Sequence, residues 1–109
     1  VAPLRILLEF NIAKEAQKTG ADAADALALL NHARTCGRLI VDGLMTMAPY
    51  SDNAEDARPV FRALRELRDN LQQQTGTALP TLSMGMSGDF EVAIAEGATM
   101  VRVGSALFA

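Results

Sequence analysis

The feature that most constrains this chain is its strict alternation of strand-like and helix-like segments. Leu4-Arg5-Ile6-Leu7-Leu8-Glu9-Phe10 is a mostly apolar run of strand length, the pattern of a buried parallel strand. Asn11 to Gly20 is polar and ends on a glycine, as a loop does. Asp22 is placed to cap a helix with apolar positions at Ala23, Ala26, Leu27, Leu30 and Ala33, and Gly37 to close it. Arg38 to Met45 predicts a second strand, and Thr46 to Asn53, with Pro49, Ser51 and Asp52, a loop. Ala54 to Gln74 predicts a long helix with Val60, Leu64, Leu67 and Leu71 on one face, starting or bending at Pro59. Pro80 to Met84 reads as a third strand, Gly85 to Gly88 as a turn, and Asp89 to Glu96 as a short helix closed by Gly97. Thr99 to Val103 reads as a fourth strand, and Gly104 to Phe108 starts something helical.

The order β-α-β-α-β-α-β implies a parallel sheet with crossover helices. No repeat or linker interrupts it, so residues 1–109 read as one architectural unit. Four such strands form a small open α/β sheet, or half of an eight-stranded barrel of roughly 250 residues. Periodicity alone does not choose between them.

Composition removes several function classes. Half the residues are hydrophobic and the formal net charge is −3, which leaves no basic footprint for nucleic acid. No apolar run approaches the roughly 20 residues of a membrane span, and the first residues lack the pattern of a signal peptide. Cys36 stands alone, which precludes an internal disulfide and fits a reducing cytoplasm. It reads as a half-buried structural thiol. His32, the only histidine, falls in a helix and reads as packed or solvated; one His and one Cys do not make a zinc site of the usual kind. The charged face Arg58, Arg62, Arg65, Glu66 and Asp69 is expected to be solvated surface.

The chemistry concentrates between Leu82 and Phe108. Two glycine-bearing turns follow the last two strands, Ser83-Met84-Gly85-Met86-Ser87 and Arg102-Val103-Gly104-Ser105. In (β/α)8 barrels the loops after the last two strands often bind phosphate. Glycine admits close backbone approach, free N–H groups at a helix start point at an anion, and serine hydroxyls add donors. Ser87, Gly104 and Ser105 supply these parts. Strand alternation puts Val101 and Val103 on one face and Met100, Arg102 and Gly104 on the other. If that second face points into a barrel, a guanidinium sits inside it. The alternative is a strand-end arginine that reaches solvent or pairs with a carboxylate such as Asp89.

These segments resemble a known family. Leu82-Ser83-Met84-Gly85-Met86-Ser87, then Asp89, Ala93-Ile94 and Gly97, then Val101 through Phe108, is similar to the C-terminal signature of the YggS/PROSC-type pyridoxal phosphate (PLP) homeostasis proteins. Asn11 with Glu15, Lys18 and Gly20 resembles that family's loop after its fifth strand. Gly43 through Pro49 resembles the segment at its sixth. The Ser-Met-Gly-Met-Ser run is specific to the family, whereas Arg-x-Gly is shared with alanine racemases.

The resemblance implies a TIM (β/α)8 barrel of the alanine racemase N-terminal type, of which this chain covers about strands five to eight. It implies PLP as cofactor, with Ser87, the Met86 backbone, Gly104 and Ser105 on the phosphate and Arg102 facing the pyridine nitrogen. An arginine there stays protonated and keeps that nitrogen unprotonated, which makes the ring a weak electron sink. That suits a PLP carrier without robust catalysis, with PLP-dependent apoenzymes as possible recipients. The family's Schiff-base lysine lies on the first strand, outside this chain, so no catalytic residue is assigned; Lys14 and Lys18 read as solvated loop charges. Serine stands at Ser105 where the family commonly has threonine, and the hydroxyl is kept. The alternative function is a fragment of a PLP-dependent alanine racemase or related amino-acid racemase or decarboxylase. A racemase needs a further domain with a catalytic tyrosine, and the one tyrosine here is Tyr50 in a middle loop. Half a barrel leaves two unpaired strand edges and an uncovered apolar interior. The missing N-terminal half or a completing chain is therefore expected as a partner.

Overall fold

The structure, a computed structural model, describes residues 3–14 and 20–102. Strand β1 (Leu4–Glu9), helix α1 (Ala26–Thr35), strand β2 (Leu39–Met45), helix α2 (Arg58–Thr75), strand β3 (Thr81–Ser83) and helix α3 (Phe90–Ala95) follow in the expected alternation. The sheet is parallel in the order β1-β2-β3. Single parallel bridges extend it, Phe10 to Ala21 and Ser83 to Met100.

The core forms where one face of the sheet meets the helices. Leu8, Leu44 and Leu82 are in register across the three strands, and all are buried. Leu30 of α1 and Phe61, Leu64 and Leu71 of α2 join the same apolar cluster. Paired residues in neighbouring strands share a face, so the row Leu7, Gly43 and Thr81 belongs to the other side. The register shifts between Ile6 and Leu7, where Ile6 pairs with Val41 but Leu7 pairs with Gly43. The extra residue, Asp42, accepts a hydrogen bond from Arg5 at 2.7 Å. Ile40 and Met100 are exposed large apolar residues, as is Leu4 at the start of β1.

Several local expectations need correction. α1 does not close on Gly37: its cap is Cys36 in an extended conformation, whose N–H returns to the Ala33 carbonyl. Asp22 does cap, accepting from the Ala24 N–H, but on a short 3-10 turn that leads into α1. The long helix also begins with a 3-10 turn, Ala54–Ala57, capped by Asn53, and Pro59 falls in the first turn of α2, where its missing N–H costs nothing. Phe61, absent from the expected apolar stripe, is fully buried. The fourth strand reduces to the bridge at Met100 among the described residues, and the helical start at 104–108 lies outside them.

The largest correction concerns the charged face of α2. Arg58, Arg62 and Arg65 are not simply solvated: all three reach Glu96, which is buried at 4% exposure.

Candidate functional site

The carboxyl ends of β2 and β3 and the segment after Met100 converge on one edge of the sheet. Thr46, just past β2, is buried, and its hydroxyl donates to the Phe10 carbonyl at 2.7 Å, tying the first two strand ends together. Its N–H donates to the Ser83 carbonyl at 3.1 Å. Met84 N–H donates to the Met100 carbonyl at 3.0 Å, and Arg102 N–H donates to the Gly85 carbonyl at 2.9 Å. The turn after β3 and Arg102 are thereby brought together, although Gly85 and Arg102 lie 17 positions apart in sequence.

Gly85 has φ +105° and is buried against α3, so neither its backbone angle nor its surroundings admit a side chain. Beyond it the turn closes on itself. Asp89 Oδ1 accepts the Met86 N–H at 2.7 Å, and Asp89 N–H donates to the Met86 carbonyl at 3.1 Å. Asp89, the alternative partner considered for Arg102, thus holds the Met86 amide. Met86 and Gly88 are exposed and Ser87 is half-buried.

Met86, Ser87, Gly88 and Asp89 form one wall of a cleft of about 280 Å³; Pro49, Tyr50, Ser51 and Asn53 line the other. That is near the lower end of small-molecule sites, roughly 300 Å³. The opposite wall is held by its own polar contacts. Ser51 donates to Asp56 at 2.6 Å and accepts the Asn53 N–H, and Tyr50 donates to Asp52 at 2.9 Å.

Of the site residues expected from the sequence, Met86, Ser87 and Arg102 fall at this edge. Met100 and Arg102 follow the expected alternation: Met100 and Arg102 are exposed, while Val101 packs against the core. Gly104 and Ser105 lie outside the described residues, as do Glu15 and Lys18. Lys14 is exposed, with φ 58°. Sequence reasoning did not foresee the Pro49–Asn53 wall, because its contact with the Met86 turn is purely tertiary. It also missed Glu96, although arginines at 58, 62 and 65 share one helix face and announced an anion.

That carboxylate is held below its ordinary pKa by hydrogen bonds from Arg62 and Arg58. Glu55 is also lowered, chiefly by its hydrogen bond from Arg58. Arg58 is raised in turn by Glu55 and Glu96. Arg58 and Arg62 lie on α2, Glu96 caps the end of α3, and Glu55 is in the turn before α2, whose Ala54 and Ala57 also line the cleft.

Comparison with known proteins agrees with this architecture. The family model described as alanine racemase, N-terminal domain, matches residues 1–109. A protein named pyridoxal phosphate homeostasis protein from Aquifex aeolicus is 52% identical over 103 residues, 94% of this chain and 45% of that one. The structure of PipY of Synechococcus elongatus with PLP bound superimposes with a TM-score of 0.84 at 36% identity, covering 99% of this chain and 50% of that one. The same protein without PLP gives 0.89. Alanine racemase from Corynebacterium glutamicum shares the fold, with a TM-score of 0.76 at 19% identity over 97% of this chain and 29% of that one. The chain spans about half the length of the curated relatives it matches. It belongs to the alanine racemase N-terminal domain family and is similar, along nearly its whole length, to pyridoxal phosphate homeostasis proteins.

Proposed function

We propose that this chain supplies the phosphate and ring-nitrogen side of a PLP site, in a protein that binds PLP and serves PLP homeostasis. In this reading residues 1–109 form the C-terminal half of a (β/α)8 barrel, about strands five to eight, completed by an N-terminal half or a partner chain. The reading is carried by the bond from Arg102 N–H to the Gly85 carbonyl, which joins the Ser87 turn to Arg102 at the carboxyl edge of the sheet. Ligands of parallel α/β proteins bind at that edge. Relatives named for PLP homeostasis and a PLP-bound neighbour support it further.

The residues present suit the group. The Ser87 hydroxyl would donate to a phosphate oxygen beside the Met86 backbone, whose amide Asp89 holds in this structure. Gly104 and Ser105 complete the phosphate side. Arg102 would face the pyridine nitrogen and, always protonated, would leave that nitrogen without a proton. PLP itself supplies an electron-withdrawing ring, which this arginine weakens. The lysine that bonds PLP covalently belongs to the completing half. The function is therefore carriage of PLP, with PLP-dependent apoenzymes as recipients, rather than robust catalysis. A cytoplasmic setting fits the lone thiol of Cys36. No helix among the described residues is long and apolar enough to cross a membrane.

The test is retention of PLP by the full-length protein, followed by its visible absorbance through dialysis. Ser87→Ala and Arg102→Ala should each lose cofactor faster than the wild type. Unchanged retention in both would remove this reading.

A further inference from the structure

Glu96 is the one ionisable residue among the buried polar side chains described. Arg58 Nη1 lies 2.5 Å from its Oε2, and Arg62 reaches both oxygens at 3.3 Å. Arg65 Nη1 bonds Oε1 and the Glu96 carbonyl, each at 3.2 Å. Burying a carboxylate is costly unless it is paired and its oxygens are satisfied; here both oxygens are. Such an arrangement pins whatever carries the carboxylate.

What it pins is α3. A helix of six residues does not hold itself in place. Its N-terminal cap residue, Asp89, gives it no side-chain capping bond, because that carboxylate is turned back to Met86. The turn and α3 are also packed directly on each other. Gly85 packs on Ala93 with no room for a Cβ, and Gly97 abuts the Arg65 stem. Displacing the end of α3 from α2 therefore displaces Met86 to Asp89.

We infer that Glu96 is a positioning residue for ligand binding: by locking α3 onto Arg58, Arg62 and Arg65 of α2, it holds the Ser87 turn in place for the cofactor's phosphate. This rests on the reading of that turn as the PLP phosphate site. Glu96 touches no ligand, and its effect is confined to the phosphate end.

The experiment compares affinities of the full-length protein for PLP and for pyridoxal, which lacks the phosphate. Glu96→Gln should weaken PLP about tenfold while pyridoxal changes less than about twofold, since small misplacements of a binding group cost that much. Equal weakening of both ligands marks a purely structural role and overturns the inference, as does no change. Should Glu96→Gln fail to fold, Arg62→Gln takes its place. That arginine is half-exposed, and its loss should weaken PLP selectively by about threefold; an absent or unselective effect overturns the inference. Ser87→Ala separates the two levels. If it leaves the ratio of PLP to pyridoxal affinity unchanged, the phosphate reading fails and the inference with it. If Ser87→Ala lowers the ratio and Glu96→Gln does not, the inference about Glu96 alone is wrong.

Discussion

Gly85 approaches Ala93 so closely that a Cβ on the glycine would stand 2.6 Å from the Ala93 Cβ. This contact seats the turn after β3 on α3. Gly85→Ala meets both a steric block and an unfavourable φ of +105°. It should cost about 2–4 kcal/mol. Urea unfolding of the full-length protein should show a lower midpoint at an unchanged slope. PLP affinity should fall with it, because the turn must shift.

Ser87→Ala removes a hydroxyl at the wall of the cleft without changing the backbone. Losing one charge-assisted hydrogen bond to phosphate should weaken PLP by about 1.5–3 kcal/mol, roughly tenfold or more. Stability should change by less than about 0.5 kcal/mol, since the side chain is only half-buried. Fluorescence or absorbance titration with PLP checks the first value, and thermal unfolding without cofactor the second.

The folded-state pKa of Glu96 is depressed, first by Arg62 and then by Arg58. Its pairing therefore stabilises the fold above the ordinary carboxylate range and is lost as pH falls through the depressed value. Glu55 titrates with the same sign. Wild-type protein should lie above Glu96→Gln in melting temperature at neutral pH, and the gap should narrow on acidification. A gap that stays constant down to strongly acidic pH would show that the charge of Glu96 contributes nothing.

The face of the sheet opposite α1 and α2 exposes Ile40 and Met100, at 37% and 51%. Strand β1 is an edge of the described sheet and offers unpaired backbone there. Residues 1–109 expressed alone should self-associate or fail to unfold cooperatively as a monomer. Sedimentation equilibrium is the measurement, and a cooperatively folding monomer at micromolar concentration would contradict the expectation. Co-expression with the N-terminal half of a relative should restore a discrete complex.

Much of the architecture was legible because parallel strands and amphipathic helices carry local signatures. The run Leu4 to Phe10 and the stripe through Leu64 and Leu71 predicted β1 and α2 from spacing alone. Element ends were less so. Gly37 looked like a helix closure, yet Cys36 ends α1 in an extended conformation. Thr99 to Val103 has strand composition; among the described residues Met100 makes the bridge, while Thr99 and Arg102 bond Leu82 and Gly85, and Val103 lies outside the described residues.

Met86, Ser87 and Arg102 could be singled out beforehand because turn glycines, hydroxyls and an arginine within a strand are visible in one dimension. Strand alternation and spacing by themselves determined that the sheet is parallel, which face of each strand is apolar and which residues have the chemistry for an anion. Only the tertiary structure decided which of them meet. It turned a charged helix face into a clamp on Glu96, handed the Met86 amide to Asp89, and set the 48–54 loop against the Ser87 turn. The physical reason is that local preferences depend on neighbours in sequence. The partner of a buried charge, or the far wall of a cleft, depends instead on how separate elements pack.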